Sequence, residues 1–198
     1  MTGTAARADA GPTSKLVSFI QGLRWDKLSR DVQHEAKRHL LDTIGVMIAG
    51  SASPLTSQAE AVLSAVRPAG TVPVPGRVRR ADILDAAFLA GIAGHGIELD
   101  DGYRQGSVHP GACVVPAALY GGYQQRTSGI HLLTSIVAGY EVMTALGASA
   151  HPALRQRGFH PTAVLGVFGA AAAAGYIHRL DAHHQRPAQG RRDLSPHR

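Results

Sequence analysis

The segment PTAVLGVFGAAAAAGYIH, residues 161–178, restricts the possible folds of this chain more than any other part of it. It is rich in Ala and Gly and lacks the alternation of polar and apolar residues that marks a half-buried strand. A segment of this length and composition predicts a helix. Its small residues allow neighbouring helices to approach it closely; they are Gly166, Gly169, Ala170 and Ala173.

Apolar residues recur at helical spacing in the rest of the chain as well. The further predicted helices cover residues 14–23, 31–50, 56–67, 82–95, 111–123 and 129–150. Ser14 and Asp31 are predicted to cap the first two of these helices, and the fourth is predicted to start near Asp82. The inward-facing stripe of the second helix is predicted to include Val32, Ala36, Leu40, Ile44 and Ile48, and that of the third Ala59, Val62, Leu63 and Val66. Residues 70–77 are predicted to be extended, but their prolines exclude a central strand. We predict one all-helical domain over residues 14–180, preceded by a flexible leader at 1–13 and followed by a disordered basic tail at 181–198.

The charge of the chain limits the classes of partner. With 20 Lys and Arg against 14 Asp and Glu, the net charge is +6, which favours an acidic partner. Aromatic residues make up 5% of the chain and do not interleave with the arginines, so we expect no nucleic-acid binding. Cys113 is the only cysteine, which excludes an intrachain disulfide. Residues 163–177 are too short for a membrane span, and we predict a cytoplasmic protein that binds no membrane.

Residues 95–111, HGIELDDGYRQGSVHPG, contain most of the side chains suited to catalysis or binding. His109 and His160 each precede a proline that opens a predicted helix, which places them at or near helix N-termini. Such termini bind carboxylates and phosphates, and their field favours a neutral imidazole that can act as an acid or a base. The alternative is two ordinary helix starts with solvated histidines.

The acidic residues of this loop admit two interpretations. Asp100 and Asp101 can orient a histidine or a substrate hydroxyl, or they can simply form the turn after a helix. A metal site formed by Glu98, Asp100, His109 and His160 is conceivable, but no pair of ligands at i, i+4 supports it, so we predict none.

The remaining candidates are assigned mainly to structure. Tyr103 and Arg104 can bind a substrate carboxylate or lie in a surface turn, and Cys113 is expected to be a small buried residue. We expect His95 to be a packed histidine rather than a ligand. Structural roles are also predicted for His34, His39, His131 and His178.

Five segments resemble the N-terminal part of the MmgE/PrpD family, in the family's order and at its spacing. They are HLLDTIGVMIAGS (39–51), DAAFLAGIAGHGIELDDG (85–102), VHPGACVVPAAL (108–119), GYEVMTALG (139–147) and GFHPTAVLGVFGAAAAAG (158–175). The resemblance implies a large helical domain, a smaller α+β lid domain and a homodimer. It also implies proton removal next to a carboxylate of a small di- or tricarboxylate, without a metal or cofactor.

By the same resemblance, the chain is expected to be a lyase of the 2-methylcitrate dehydratase type. His109 and His160 would bind carboxylates or transfer protons, and Glu98, Asp100 and Asp101 would orient them. The sequence departs from the family pattern where Glu98 replaces the usual Asp and Gly102 replaces the usual Thr.

Family members are much longer than this chain, and their catalytic lysine, remaining helices and lid would follow Arg198. We therefore expect the chain to be truncated and inactive alone. The change of composition after residue 182 suggests a frameshift in the gene. The alternative function is a non-catalytic helical module that dimerises or binds a partner.

Overall fold

The computed structural model describes residues 11–180, so the predicted tail and most of the predicted leader lie outside the described part. The described residues form eight α-helices. They are α1 (Pro12–Gly22), α2 (Arg30–Ser51), α3 (Pro54–Val66), α4 (Ile83–His95), α5 (Gly111–Gln125), α6 (Gly129–Ala150), α7 (Ala153–Gln156) and α8 (Pro161–Ile177). Extended pairing between residues 11 and 180 outside the helices consists of isolated bridges, Val72 with Ala81 and Tyr103 with Val108. The all-helical prediction is confirmed.

Helices α5, α6 and α8 pack against one another at the centre of the fold. A Cβ atom on Gly139 of α6 would lie 2.5 Å from Val114 Cγ1 on α5 and 2.8 Å from the carbonyl oxygen of Gly169 on α8. Gly166 is equally close to Cys113, as a Cβ atom there would overlap its sulfur. The predicted role of the small residues of α8 is therefore confirmed at its two glycines. This close packing brings the N-termini of α5 and α8 side by side.

A second contact joins α2 to α4, whose apolar face contains Ala86, Leu89, Ala90 and Ala93. Gly50 of α2 lies directly against Ala93. The buried face of α2 is formed by Thr43, Val46, Met47 and Gly50. This contact fixes the C-terminal end of α4, where the acidic loop begins.

Several predicted helix starts are wrong by one or more residues. The hydroxyl of Ser29, and not Asp31, caps α2, by accepting a hydrogen bond from the backbone N–H of Val32 at 3.2 Å. Gly11 precedes α1, where Ser14 makes no cap hydrogen bond. Helix α3 begins at Pro54 and not at Thr56, because proline suits the first helical position. Helix α4 starts next to Asp82 as predicted, and the carboxylate of Asp82 caps it by accepting from the N–H of Leu84.

Some apolar residues that were predicted to face inward are exposed. Val62 and Val66 of α3 are 66% and 75% exposed, and Ile48 of α2 is 52% exposed. The reason is tertiary, since α3 packs against the core through Thr56, Ala59 and Leu63, and Val62 and Val66 lie outside that face. Exposed apolar surfaces of this kind could be covered in the predicted homodimer, which stays a prediction.

Helix α6 is long and apolar enough to cross a membrane by length and composition alone. Its buried residues include Ile136, Ala138 and Met143, which form part of the core against α5 and α8. Core helices pass the same test, so this observation adds no evidence for a membrane.

Candidate functional site

The loop between α4 and α5 carries the acidic residues and His109. A short turn closes it, in which the N–H of Tyr103 donates to the carbonyl oxygen of Val108 at 2.8 Å. Glu98 adopts a left-handed conformation with φ of 54°, which turns the chain sharply after α4. The loop therefore returns its acidic residues to the end of α4 and brings His109 to the start of α5.

Asp100 lies at the centre of the site, and its side chain is 0% exposed. Its Oδ2 atom lies 2.8 Å from Nδ1 of His95 and 3.6 Å from Nδ1 of His109. Because a carboxylate can only accept, Nδ1 of His95 must donate to it. In a neutral ring this leaves Nε2 of His95 with a free lone pair, so the Asp100–His95 pair has the geometry of an oriented base.

His160 has the opposite arrangement of donor and acceptor. It is the N-cap of α8, and its Nδ1 atom accepts from the backbone N–H of Ala163 at 3.4 Å. The proton of the neutral ring is then on Nε2, which can donate to a substrate. The ring centroid of His160 lies 6.0 Å from that of His95, so the donor and the acceptor belong to neighbouring rings.

His109 completes a cluster of three imidazoles, with its ring centroid 5.1 Å from that of His95. Pro110 occupies the N-cap position of α5, so His109 lies directly before the cap, near the helix N-terminus as predicted. The backbone N–H of His109 donates to Oγ1 of Thr162 at 3.0 Å. This bond ties the start of α5 to the start of α8, and the two His-Pro helix ends converge.

Asp101 points away from the imidazole cluster. Its Oδ1 atom accepts from the backbone N–H of Gly111 at 2.9 Å. Its Oδ2 atom accepts from the hydroxyl of Tyr140 at 2.7 Å and from Nδ1 of His39 at 2.9 Å. Protein donors therefore occupy both oxygens, and this carboxylate fastens the loop to α2, α5 and α6.

The pKa values of His39 and Asp101, which are hydrogen-bonded to each other, shift in opposite directions. The hydrogen bond to Asp101 raises the pKa of His39, and this effect exceeds the lowering caused by burial. Burial acts to raise the pKa of Asp101, but the hydrogen bonds from His39, Tyr140 and Gly111 together lower it. Burial and the neighbouring charge of Asp101 raise the pKa of Tyr140, so its hydroxyl stays protonated as a donor.

These shifts predict a pH window for stability. Because the pKa of Asp101 is lowered on folding, its contribution to the free energy of unfolding is complete above about pH 4. That contribution is lost as the pH falls through the pKa of the folded state. Because the pKa of His39 is raised, its contribution is complete below about pH 6.5 and is lost as the pH rises through its folded pKa.

The test of this window is urea denaturation at a series of pH values. We expect the contribution of the pair to be greatest between about pH 4 and about pH 6.5. His39→Asn should flatten the decline on the alkaline side, whereas a change at the exposed His34 should not. An unchanged alkaline decline in His39→Asn would contradict the assignment.

The other predicted site residues lie further from the imidazoles. Glu98 is at the edge, with Oε1 3.8 Å from Nε2 of His95 and a side chain that is 75% exposed. Tyr103 packs partly against the core, and Arg104 is exposed in the turn. Cys113 is half-buried, and burial, followed by the charges of Asp100 and Asp101, raises the pKa of its thiol. It therefore behaves as the predicted small buried residue.

His95 and His39 are the functional side chains that sequence reasoning assigned to structure alone. The signal for His95 was its position on the last turn of α4, directly before an acidic loop. His39 gave no such signal, since it lies far from Asp101 in the sequence. Among the residues that the structure describes, His95, Asp100 and His109 are placed so that they could hold a metal ion, whereas the set considered and not adopted from the sequence was Glu98, Asp100, His109 and His160.

The sequence model of the MmgE/PrpD N-terminal domain matches residues 14–191, and the chain belongs to the MmgE/PrpD family. The match extends past Leu180 into the segment that composition marks as a tail. The chain is 30% identical over 182 residues to the cis-aconitate decarboxylase-like protein oryM of Aspergillus oryzae, covering 88% of this chain and 38% of oryM.

Two mammalian proteins are similar to the same degree. The chain is 30% identical over 168 residues to mouse cis-aconitate decarboxylase, which covers 82% of this chain and 34% of the mouse protein. It is 31% identical over 170 residues to the human cis-aconitate decarboxylase, covering 82% of this chain and 35% of the human protein. The chain thus spans a little over a third of the length of these relatives.

Proposed function

We propose that this chain carries the proton-transfer and carboxylate-binding side of a lyase site for a small di- or tricarboxylate. The observation that carries the proposal is the convergence of His95 and His109 on the buried Asp100, with the ring of His160 next to that of His95. One imidazole presents a lone pair and another presents an N–H, so the site can accept and donate a proton without changing its total charge.

Each part of the site has a role in this chemistry. The N-terminus of α8 and the Nε2–H of His160 favour a carboxylate. His95 and His109 lie beside that position, where either can take a proton from the carbon next to the carboxylate or return one to it. Asp100 holds His95 in the tautomer that this transfer requires.

The names of the relatives favour loss of CO₂ over the loss of water predicted from the sequence. Decarboxylation requires a proton donor at the carbon that CO₂ leaves, which His160 can supply. Dehydration requires a base at one carbon and an acid at the departing hydroxyl, which the same histidines can supply. Comparing the affinities for cis-aconitate and for 2-methylcitrate distinguishes a decarboxylase site from a dehydratase site.

The site is open to water on the side of Glu98 and His160, whose side chains are exposed. Lyase chemistry of this kind benefits from excluding water, which strengthens the electrostatic interactions around the reacting carbon. We therefore propose that the 198-residue chain binds the carboxylate weakly and turns it over undetectably by itself.

The test is calorimetric titration of the full chain with cis-aconitate and with 2-methylcitrate. We expect one carboxylate site, and we expect His160→Asn and His109→Asn each to weaken binding about tenfold by removing a hydrogen bond to a charged group. His34→Asn, on the exposed side of α2, is the matched control and should bind as the unchanged chain does. Equal binding by all variants would refute the proposal, and measurable turnover would refute the predicted inactivity.

A further inference from the structure

Two buried polar atoms in the imidazole cluster have no hydrogen-bond partner. They are Oδ1 of Asp100 and Nδ1 of His109. An unpaired buried carboxylate oxygen destabilises the folded state, because it has lost its hydration without replacement. A cation placed between Asp100 and the two adjacent rings would pair with the carboxylate and take up the free lone pair on Nδ1 of His109.

We propose that His95, Asp100 and His109 bind one divalent first-row transition ion, for which Zn²⁺ is the best match. One donor atom from each of the three residues lies within 4.8 Å of the others. A tetrahedral zinc with bonds of about 2.0–2.1 Å needs its ligands about 3.3 Å apart. Oδ2 of Asp100 and Nδ1 of His109, at 3.6 Å, are already near that separation.

The donor set decides the class of ion. Two imidazole nitrogens and one carboxylate oxygen suit zinc and its neighbours in the first transition row, whereas Mg²⁺ and Ca²⁺ prefer oxygen ligands alone. The ion would take the place of the proton on Nδ1 of His95, and in a neutral ring that proton would move to Nε2. The fourth position faces the open side of the site and would hold water.

The surroundings orient two of the ligands before an ion arrives. The bond from the backbone of His109 to Thr162 fixes the position of that residue, and α4 carries His95 on its last turn. Outer contacts of this kind raise metal affinity, because less freedom is lost on binding.

The bound ion would act as an inhibitor. With Nδ1 bound to the ion, a neutral His95 would carry its proton on Nε2, so it would lose the lone pair that accepts a proton from the substrate. This consequence rests on the function proposed above, whereas the ion site itself rests only on the three side chains.

The first experiment titrates the full chain with Zn²⁺ by calorimetry and with Co²⁺ by visible absorption. We expect one ion per chain and the absorption of a four-coordinate cobalt site. His95→Gln and His109→Gln should each weaken binding at least tenfold, while His34→Gln and Cys113→Ser should leave it unchanged. Equal affinity in all variants would overturn the site.

A measurement on the unchanged chain avoids the risk that a variant fails to fold. In nitrogen NMR spectra of the histidine rings, Zn²⁺ should shift the signals of His95 and His109 and leave that of His34 in place. Shifts confined to other histidines would overturn the proposal.

A final set of nitrogen spectra, recorded with cis-aconitate in the absence and in the presence of Zn²⁺, separates the two proposals. A proton on Nε2 of His95 in the ion-bound chain supports the inhibition, and a proton that stays on Nδ1 overturns it. If cis-aconitate does not bind even without the ion, the proposed function fails, and the Co²⁺ spectrum still decides the ion site.

Discussion

Asp101→Ala is expected to lower the free energy of unfolding by about 3 kcal/mol. The carboxylate accepts hydrogen bonds from Gly111, Tyr140 and His39, and only 12% of its side chain is exposed. Its removal would leave the buried hydroxyl of Tyr140 and the N–H of Gly111 without acceptors. Urea denaturation at about pH 6, where Asp101 and His39 are both charged, measures the loss of stability.

The matched control is Tyr140→Phe, which removes one of the three hydrogen bonds and leaves the carboxylate in place. We expect it to cost about 1 kcal/mol. A loss below about 0.5 kcal/mol in Asp101→Ala would mean that water replaces the anchor, and its structural role would be wrong.

Gly50→Ala is the second change with a large expected effect, a loss of about 3 kcal/mol. A Cβ atom there would overlap the carbonyl oxygen of Ala93 and lie 2.9 Å from its carbonyl carbon. Both groups belong to helix backbones, so neither can move aside as a flexible side chain would. Relief requires α2 and α4 to separate, which reduces the burial of Met47 and Leu89.

Gly45→Ala, on the same helix, is the control. No atom outside the helix lies within 4 Å of the position where its Cβ would be added. Alanine is the better helix former, so this change should raise the free energy of unfolding by up to about 1 kcal/mol. Thermal unfolding of the two variants should therefore shift in opposite directions. A shift of the same sign in both would contradict the close contact of α2 with α4.

The helices with strong local signals were predicted closely. The predicted range of α6 matches the structure at both ends, and α4 and α8 begin next to Asp82 and at Pro161 as predicted. The start of α2 was missed because Ser29 and Asp31 are both good caps, and local sequence alone does not choose between them. Inward faces were less predictable on α3, because its exposure depends on which helices lie beside it.

The residues of the candidate site likewise fall into those that local sequence signals predict and those that only tertiary contacts identify. The His-Pro pairs marked His109 and His160, because proline at a helix start is a local signal. Asp100 and Asp101 are adjacent in the sequence and equivalent by composition, yet one is directed to the imidazoles and the other to His39, Tyr140 and Gly111. That division depends on contacts between distant segments.

By itself, the sequence determined the all-helical class, most of the helices and the loop that bears the site, because periodicity, proline and capping residues act over a few neighbouring positions. Only the tertiary structure decided that His95 belongs with His109 and His160, and that Asp101 is an anchor. These assignments depend on the approach of α8 to α5 and α6 at Gly139 and Gly169. That approach results from packing across the whole domain, which no local pattern specifies.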